Sequence, residues 1–172
     1  MGTVYVITTG GTIEKVYSER IGSVENVDGK IDRYLRLLRL HDCEVNVVPL
    51  MNKDSLYLTD EDRVLLLGMV RGILNEKTPL VVTHGTDTMV ETGLYLQRML
   101  PDVSVPIVLT GAMIPLGFEG SDGLQNLTES LMAVQLLPPG IYIVMHNQVF
   151  PVDRVKKDQT LARFVRSDCK PT

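Results

Sequence analysis

The stretch Val81-Val82-Thr83-His84-Gly85-Thr86-Asp87-Thr88-Met89-Val90-Glu91 decides how the rest of the chain is read. A short apolar run of strand length stops at Thr83-His84-Gly85. Beyond it, Asp87-Thr88 leads into Leu96, Met99 and Leu100 at helical spacing, so the segment predicts a strand, a tight turn and a helix start. Open α/β sheets place their ligands at such junctions. A Thr-Asp pair at a helix N-terminus lies near free backbone N–H groups and the positive end of the helix dipole, which favour a carboxylate or a developing oxyanion. Thr and Asp are equally the residues that cap ordinary helices. The stretch taken alone leaves both readings open.

The same grammar recurs on either side. Val4-Tyr5-Val6-Ile7 ends in Thr8-Thr9-Gly10-Gly11-Thr12-Ile13, where paired glycines allow a sharp turn close to a ligand and the threonines offer hydroxyls. Glu44 to Leu50 is strand-like and is followed by the polar turn Asn52-Lys53-Asp54-Ser55. Val105 to Leu109 stops at Thr110-Gly111-Ala112-Met113. Ile141 to Met145, the last clear strand, stops at His146-Asn147. Between these runs, Ile31, Tyr34, Leu35 and Leu38 predict an amphipathic helix, as do Leu66, Val70, Ile73 and Leu74 behind a Thr59/Asp62 capping box. Leu124, Leu127, Leu131 and Val134 predict another, with Pro138-Pro139-Gly140 as its stop. Glu14 to Gly29, which includes Tyr17, has no clear period and reads as a mobile surface loop.

Nearly continuous apolar strands separated by helices imply a parallel sheet covered on both faces, since a sheet facing water on one side would alternate. The expected fold is therefore a single-domain, doubly wound, mostly parallel α/β sheet of Rossmann or flavodoxin type. Right-handed crossovers put every strand's C-terminal end on one edge, which should gather Thr12, Ser55, Thr86, Asp87, Ala112 and Asn147. That convergence favours a site over a cap at Thr86-Asp87.

Composition narrows the function. A chain of 172 residues fits one domain and can bury a core. A net charge of -4 argues against a nucleic-acid partner, and the basic set Arg154, Lys156, Lys157, Arg163, Arg166 and Lys170 reads otherwise as solvated surface. No phosphate-cradle pattern is present. Cys43 and Cys169 have no zinc-ligand spacing with His41, His84 or His146, so no metal is expected. The N-terminus enters a strand without a targeting pattern, and no apolar segment suggests a membrane. The expected location is cytoplasmic.

Thr9-Gly10-Gly11-Thr12-Ile13 and His84-Gly85-Thr86-Asp87-Thr88 together resemble the two signature motifs of the bacterial-type L-asparaginases, in matching order. The resemblance continues through Pro106 to Met113, Ser121-Asp122-Gly123 with Asn126-Leu127, and Asp153-Arg154-Val155-Lys156-Lys157. It covers residues 1–172 as the family's N-terminal catalytic domain. It implies that Thr12 is the first nucleophilic threonine, that Thr86, Asp87 and Lys157 form the second catalytic group, and that no cofactor is needed. Ser55 would hold the substrate α-carboxylate, Asp87 the α-amino group, and the Ala112 backbone the side-chain amide, with Gly11 and Gly85 flanking the pocket. A threonine hydroxyl needs a neighbouring base. Lys157 serves only when neutral, which burial favours and Asp87 opposes, and Tyr17 is the alternative.

Four departures accompany the resemblance. The acidic residue that the family's C-terminal domain lends to a neighbouring subunit is expected to be missing. Leu56 stands where many members have glutamine, Ile114 replaces an arginine common after Gly-Ala-Met, and Tyr17 follows Thr12 sooner than the family's catalytic tyrosine does. The implied function is hydrolysis of L-asparagine to L-aspartate and ammonia with little action on glutamine, by a homo-oligomer, either dimer or tetramer. Two alternatives are a non-catalytic asparagine- or aspartate-binding domain and an amidotransferase-like subunit that releases ammonia for a partner.

Overall fold

The apolar runs lie side by side, as their patterning requires. The computed structural model describes residues 2–26 and 29–167; Cys169 and Lys170 lie outside them. The strands in chain order are β1 (Gly2–Gly10), β2 (Lys15–Ser18), β3 (Ser23–Asn26), β4 (Cys43–Lys53), β5 (Leu80–Thr83), β6 (Pro106–Thr110), β7 (Gly140–Met145), β8 (Gln148–Pro151), β9 (Val155–Asp158) and β10 (Arg163–Arg166). The main sheet has the order β4-β1-β5-β6-β7-β8, in which all neighbours are parallel except β7 and β8.

Four helices cross between these strands: α1 (Lys30–Leu35), α2 (Asp60–Leu74), α3 (Met89–Met99) and α4 (Gly123–Leu136). The sheet separates two apolar layers. Ile7, Val82 and Leu109 face α2 and α3, where Leu66, Val70 and Leu96 are fully buried. Val6, Val81 and Val108 face the other way, onto Ile31 of α1 and Leu127 and Leu131 of α4. Adjacent residues point to opposite faces, so a strand buried on both sides must be apolar throughout. The capping box of α2 forms, with Thr59 accepting from the Asp62 N–H and the Asp62 carboxylate accepting from the Thr59 N–H.

Two segments depart from expectation. The stretch read as a mobile loop after Glu14 contains an antiparallel hairpin of β2 and β3, with Tyr17 opposite Val24. Lys15 fastens it, donating to Asp54 at 2.5 Å, and Lys30 donates to the Lys15 carbonyl. Strands also continue past Met145. His146 and Asn147 take φ of 51° and 59° between the paired Met145 and Gln148, a reversal in which both turn residues are left-handed. This adds β8 as an antiparallel edge.

Candidate active site

Counted by parallel strands alone, the chain winds from β1 outward to β4, then returns across β1 to β5. The crevice at such a reversal is where open α/β sheets bind ligands. Here it lies between the C-terminal ends of β1 and β5, the two segments that lead into Thr12 and Thr86.

The strand ends meet backbone to backbone. Gly10 and Gly11 have φ of 94° and 81°, a left-handed path that side chains disfavour. It turns the chain into a 3-10 turn over Thr12–Glu14. A Cβ on Gly11 would lie 2.4 Å from the Gly85 nitrogen, and one on Gly85 would lie 2.5 Å from the Ser55 hydroxyl. Thr12, Thr86 and Ser55 are thus carried on three strand ends in contact. Ser55 is itself buried, and its hydroxyl has no hydrogen-bond partner among the described residues.

Lys157 closes the group from the opposite end of the sequence. Its Nζ donates to Thr86 Oγ1 at 2.8 Å and to Asp87 Oδ1 at 2.7 Å. Thr86 is almost fully buried, whereas the Asp87 side chain is 38% exposed and can face a ligand. On β9, Val155 and Lys157 share a face. Val155 is buried in the core, and this holds the lysine toward the start of α3. The approach is close because a Cβ on Gly93 of α3 would lie 2.4 Å from the Val152 side chain, in the turn that leads into β9.

Neither Thr86 nor Asp87 is the cap of α3. The residue preceding α3 is Thr88, and no side-chain cap bond forms there. Thr88 instead donates to the Ser55 carbonyl at 2.9 Å. Thr86 and Asp87 turn to Lys157, not to the helix.

Behind them lies a buried polar chain that the sequence reading did not single out. His84 is fully buried. Its Nδ1 lies 2.7 Å from the Gly85 carbonyl, which can only accept, so this nitrogen carries the proton. Its Nε2 then accepts from Thr92, 2.9 Å away, and Thr92 accepts from Arg63 Nε at 3.3 Å. Arg63 pairs with Asp60 and Glu91. Burial lowers the His84 pKa to about 4, the nearby Arg63 charge adding to this against the Gly85 bond, so the ring is neutral near pH 7. A histidine inside an apolar-looking strand end is the signal that could have pointed to it.

The other expected residues divide. Asp54 starts the Ser55 turn by accepting from the Leu56 N–H, and the hydrogen bond from Lys15 holds its carboxyl below the usual range. Ala112 is buried at the end of β6, on the same sheet edge. Leu56 and Ile114 are 68% and 40% exposed. Tyr17 sits on the hairpin, 58% exposed, and the structure does not join it to Thr12 by a hydrogen bond. Asn147, grouped with the strand ends by sequence, is taken up in the β7–β8 turn, its N–H donating to Glu129. Among the described residues no group of three or more His, Cys, Asp or Glu is placed to hold a metal, and no helix is long and apolar enough to cross a membrane. A cavity of about 470 Å³ beside the hairpin is lined by Val16, Lys30, Arg33, Tyr34 and Phe118 and includes none of the strand-end residues.

Residues 3–168 match the family described as Asparaginase, N-terminal. The chain belongs to the asparaginase family. Among its asparaginase relatives, the L-asparaginase of Thermococcus kodakarensis is 30% identical over 156 residues, 91% of this chain and 48% of the relative. L-asparaginase 1 of Escherichia coli is 32% identical over 163 residues, 90% of this chain and 47% of the relative. The solved structure of the thermostable L-asparaginase from Thermococcus kodakarensis superposes with a TM-score of 0.88 at 29% identity, covering 98% of this chain and 52% of that one. A further family relative, a glutamyl-tRNA(Gln) amidotransferase subunit of Methanococcus vannielii, is 28% identical over 146 residues, 84% of this chain and 34% of the relative. This asparaginase-family chain spans about half the length of the L-asparaginases it matches.

Proposed function

We propose that this chain is an amidohydrolase that converts L-asparagine to L-aspartate and ammonia through a threonyl acyl-enzyme. The observation that carries the reading is the bridge of Lys157 between Thr86 and Asp87 at the sheet's reversal. A module that only bound an amino acid would need Asp87 and Ser55 but not a lysine fixed on a second threonine.

In this reading Asp87 pairs with the substrate's α-ammonium through Oδ2, since Oδ1 is engaged by Lys157, a charge-assisted contact. Ser55 offers its unpaired hydroxyl to the α-carboxylate after a turn about its side-chain bond. Thr12 attacks the amide carbon, and the oxyanion of the tetrahedral intermediate is held by backbone N–H groups of the turns beyond Gly11 and Gly85, the Gly11 N–H itself being donated to the Lys53 carbonyl. The proton taken from Thr12 passes on to the leaving nitrogen, which departs as ammonia, and water then opens the threonyl ester, releasing aspartate and restoring the Thr12 hydroxyl. Lys157 reaches the reaction through Thr86, so the proton from Thr12 has a route through that hydroxyl to the lysine.

The test is ammonia release by the purified 172-residue chain, with L-asparagine and L-glutamine side by side. Turnover of asparagine that disappears in Thr12→Ala supports the reading. Binding of aspartate without any ammonia release would make the chain a binding module. The likeness to an amidotransferase component supports a second reading, in which ammonia is released for a partner. Full turnover by the chain alone counts against it.

A further inference from the structure

The loop that follows β6 carries Ala112 and has no helix or strand of its own. Such a segment needs outside hydrogen bonds to hold one conformation. Around Ala112 it obtains them from one partly buried carboxylate, whose side chain is 14% exposed. Asp122 occupies the position before α4 but its side chain caps none of that helix's backbone N–H groups. Its Oδ1 instead accepts from the N–H groups of Met113 and Ile114 at 3.0 and 2.9 Å. Its Oδ2 accepts from Met113 N at 3.0 Å, Asn126 Nδ2 at 2.9 Å and His146 Nε2 at 2.7 Å.

Asn126 completes the clamp. It is fully buried and has donors and an acceptor in fixed positions. Nδ2 also donates to the Gly111 carbonyl at 3.0 Å, and Oδ1 accepts from the His146 N–H at 2.9 Å. The residues on both sides of Ala112 are therefore pinned, Gly111 through its carbonyl and Met113 through its N–H. Gly111 in turn lies against β5: a Cβ there would be 2.3 Å from the His84 carbonyl. Burial pushes the Asp122 carboxyl up, but the Met113 and Ile114 N–H groups and the His146 ring outweigh this and leave it below the usual range.

We propose that Asp122 and Asn126 are positioning residues that set the Ala112 peptide as the seat for the substrate's side-chain amide. The inference rests on the asparaginase reading above and adds residues that touch no substrate. Their effect is on the reaction coordinate, because the seat fixes where the amide carbon lies relative to Thr12. A misplacement of about 1 Å at a reacting centre can cost about 10²-fold in rate.

The test compares the full chain with Asp122→Asn and Asn126→Asp. The first removes an acceptor from a site surrounded by donors. The second puts a carboxylate against Asp122 and the Gly111 carbonyl. A third variant, Leu131→Ala, removes a buried leucine of the same helix and supplies destabilisation without touching the loop. Steady-state kinetics on L-asparagine are measured below the melting range of every variant.

The expected result is a fall in kcat of about 10²-fold in both polar variants, with KM within about threefold of wild type because Asp87 and Ser55 are unchanged. Leu131→Ala should keep wild-type kcat. An active wild type whose Asp122→Asn variant retains full kcat would overturn this inference alone, as would loss of kcat in Leu131→Ala equal to that in the polar variants. A wild type without turnover would remove the asparaginase reading and this inference with it.

Discussion

Acidification should weaken this fold through one ring. His84 is enclosed, neutral, and bound at both nitrogens, with its pKa lowered from 6.5 to about 4. In the unfolded chain the imidazole takes a proton near pH 6.5, whereas in the folded chain it resists until about pH 4. A lowered folded pKa stabilises the fold fully above the unfolded value and loses that contribution as pH falls. The window therefore runs from about pH 6.5 down to about pH 4. A difference of about 2.5 units at 1.36 kcal/mol per unit is about 3 kcal/mol. For a chain of this size that corresponds to a melting shift of about 6–12 °C. The assay is urea unfolding at steps from pH 7.5 to pH 4 for wild type and His84→Asn, whose amide can still donate to the Gly85 carbonyl but does not titrate. Asp54, Asp62 and Asp122 are held below the usual carboxylate range and lose their contribution lower still. His41 and His146 are common to both proteins, so the difference between the two profiles isolates His84. The variant should start less stable at neutral pH and close the gap on acidification. Parallel profiles would refute the assignment of a neutral, enclosed His84.

Further outcomes concern the site and one apolar surface patch. Thr12→Ala and Thr86→Val should each reduce kcat by about 10³-fold or more while far-UV dichroism stays native, as expected for members of one catalytic unit; near-wild-type turnover in the Thr12 variant would remove its assignment as nucleophile. Asp87→Asn should act mainly on KM, and a profile in which only kcat falls would contradict its role in holding the α-ammonium. The ratio of kcat/KM for asparagine over glutamine should be large, since one methylene discriminates by about 1–3 kcal/mol and misplacement at Thr12 adds to it. Leu56→Gln should lower that ratio, and an unchanged ratio would show that the side chain beside Ser55 does not set it. The exposed Met132 and Leu136 of α4, with Val149 of β8 beside Met132, should support self-association, so light scattering at micromolar concentration should give at least a dimer mass; a monomer mass counts against this.

The sheet was legible because a strand buried on both faces must be apolar throughout, and that leaves a plain mark at Val4, Val81, Val108 and Ile141. The meeting of Thr12, Ser55 and Thr86 followed from the handedness of the crossovers. What patterning could not reach was anything held by a polar contact. The hairpin over Lys15–Ser18 and Ser23–Asn26 has few apolar residues, and Lys15 ties it down through an ion pair with Asp54. Strand β9 reads Val-Lys-Lys-Asp, which looks like solvated surface until Val155 is seen in the core and Lys157 on Thr86. Only the resemblance gave Lys157 a role in advance. Asp122 and Asn126 fall within a stretch that resembles the family, but their partners lie on loops whose approach no periodicity reports.

The late position of Lys157 bears on how the protein is made. During synthesis the five parallel strands have all left the ribosome before residues 155–158, which lie beyond the last of them. Until that segment docks on α3, Thr86 and Asp87 stand without their lysine although the sheet that carries them can already pair. In that interval the Thr86–Asp87 pair lacks the two contacts from Lys157, so the group is completed by a segment synthesised after the sheet that carries it.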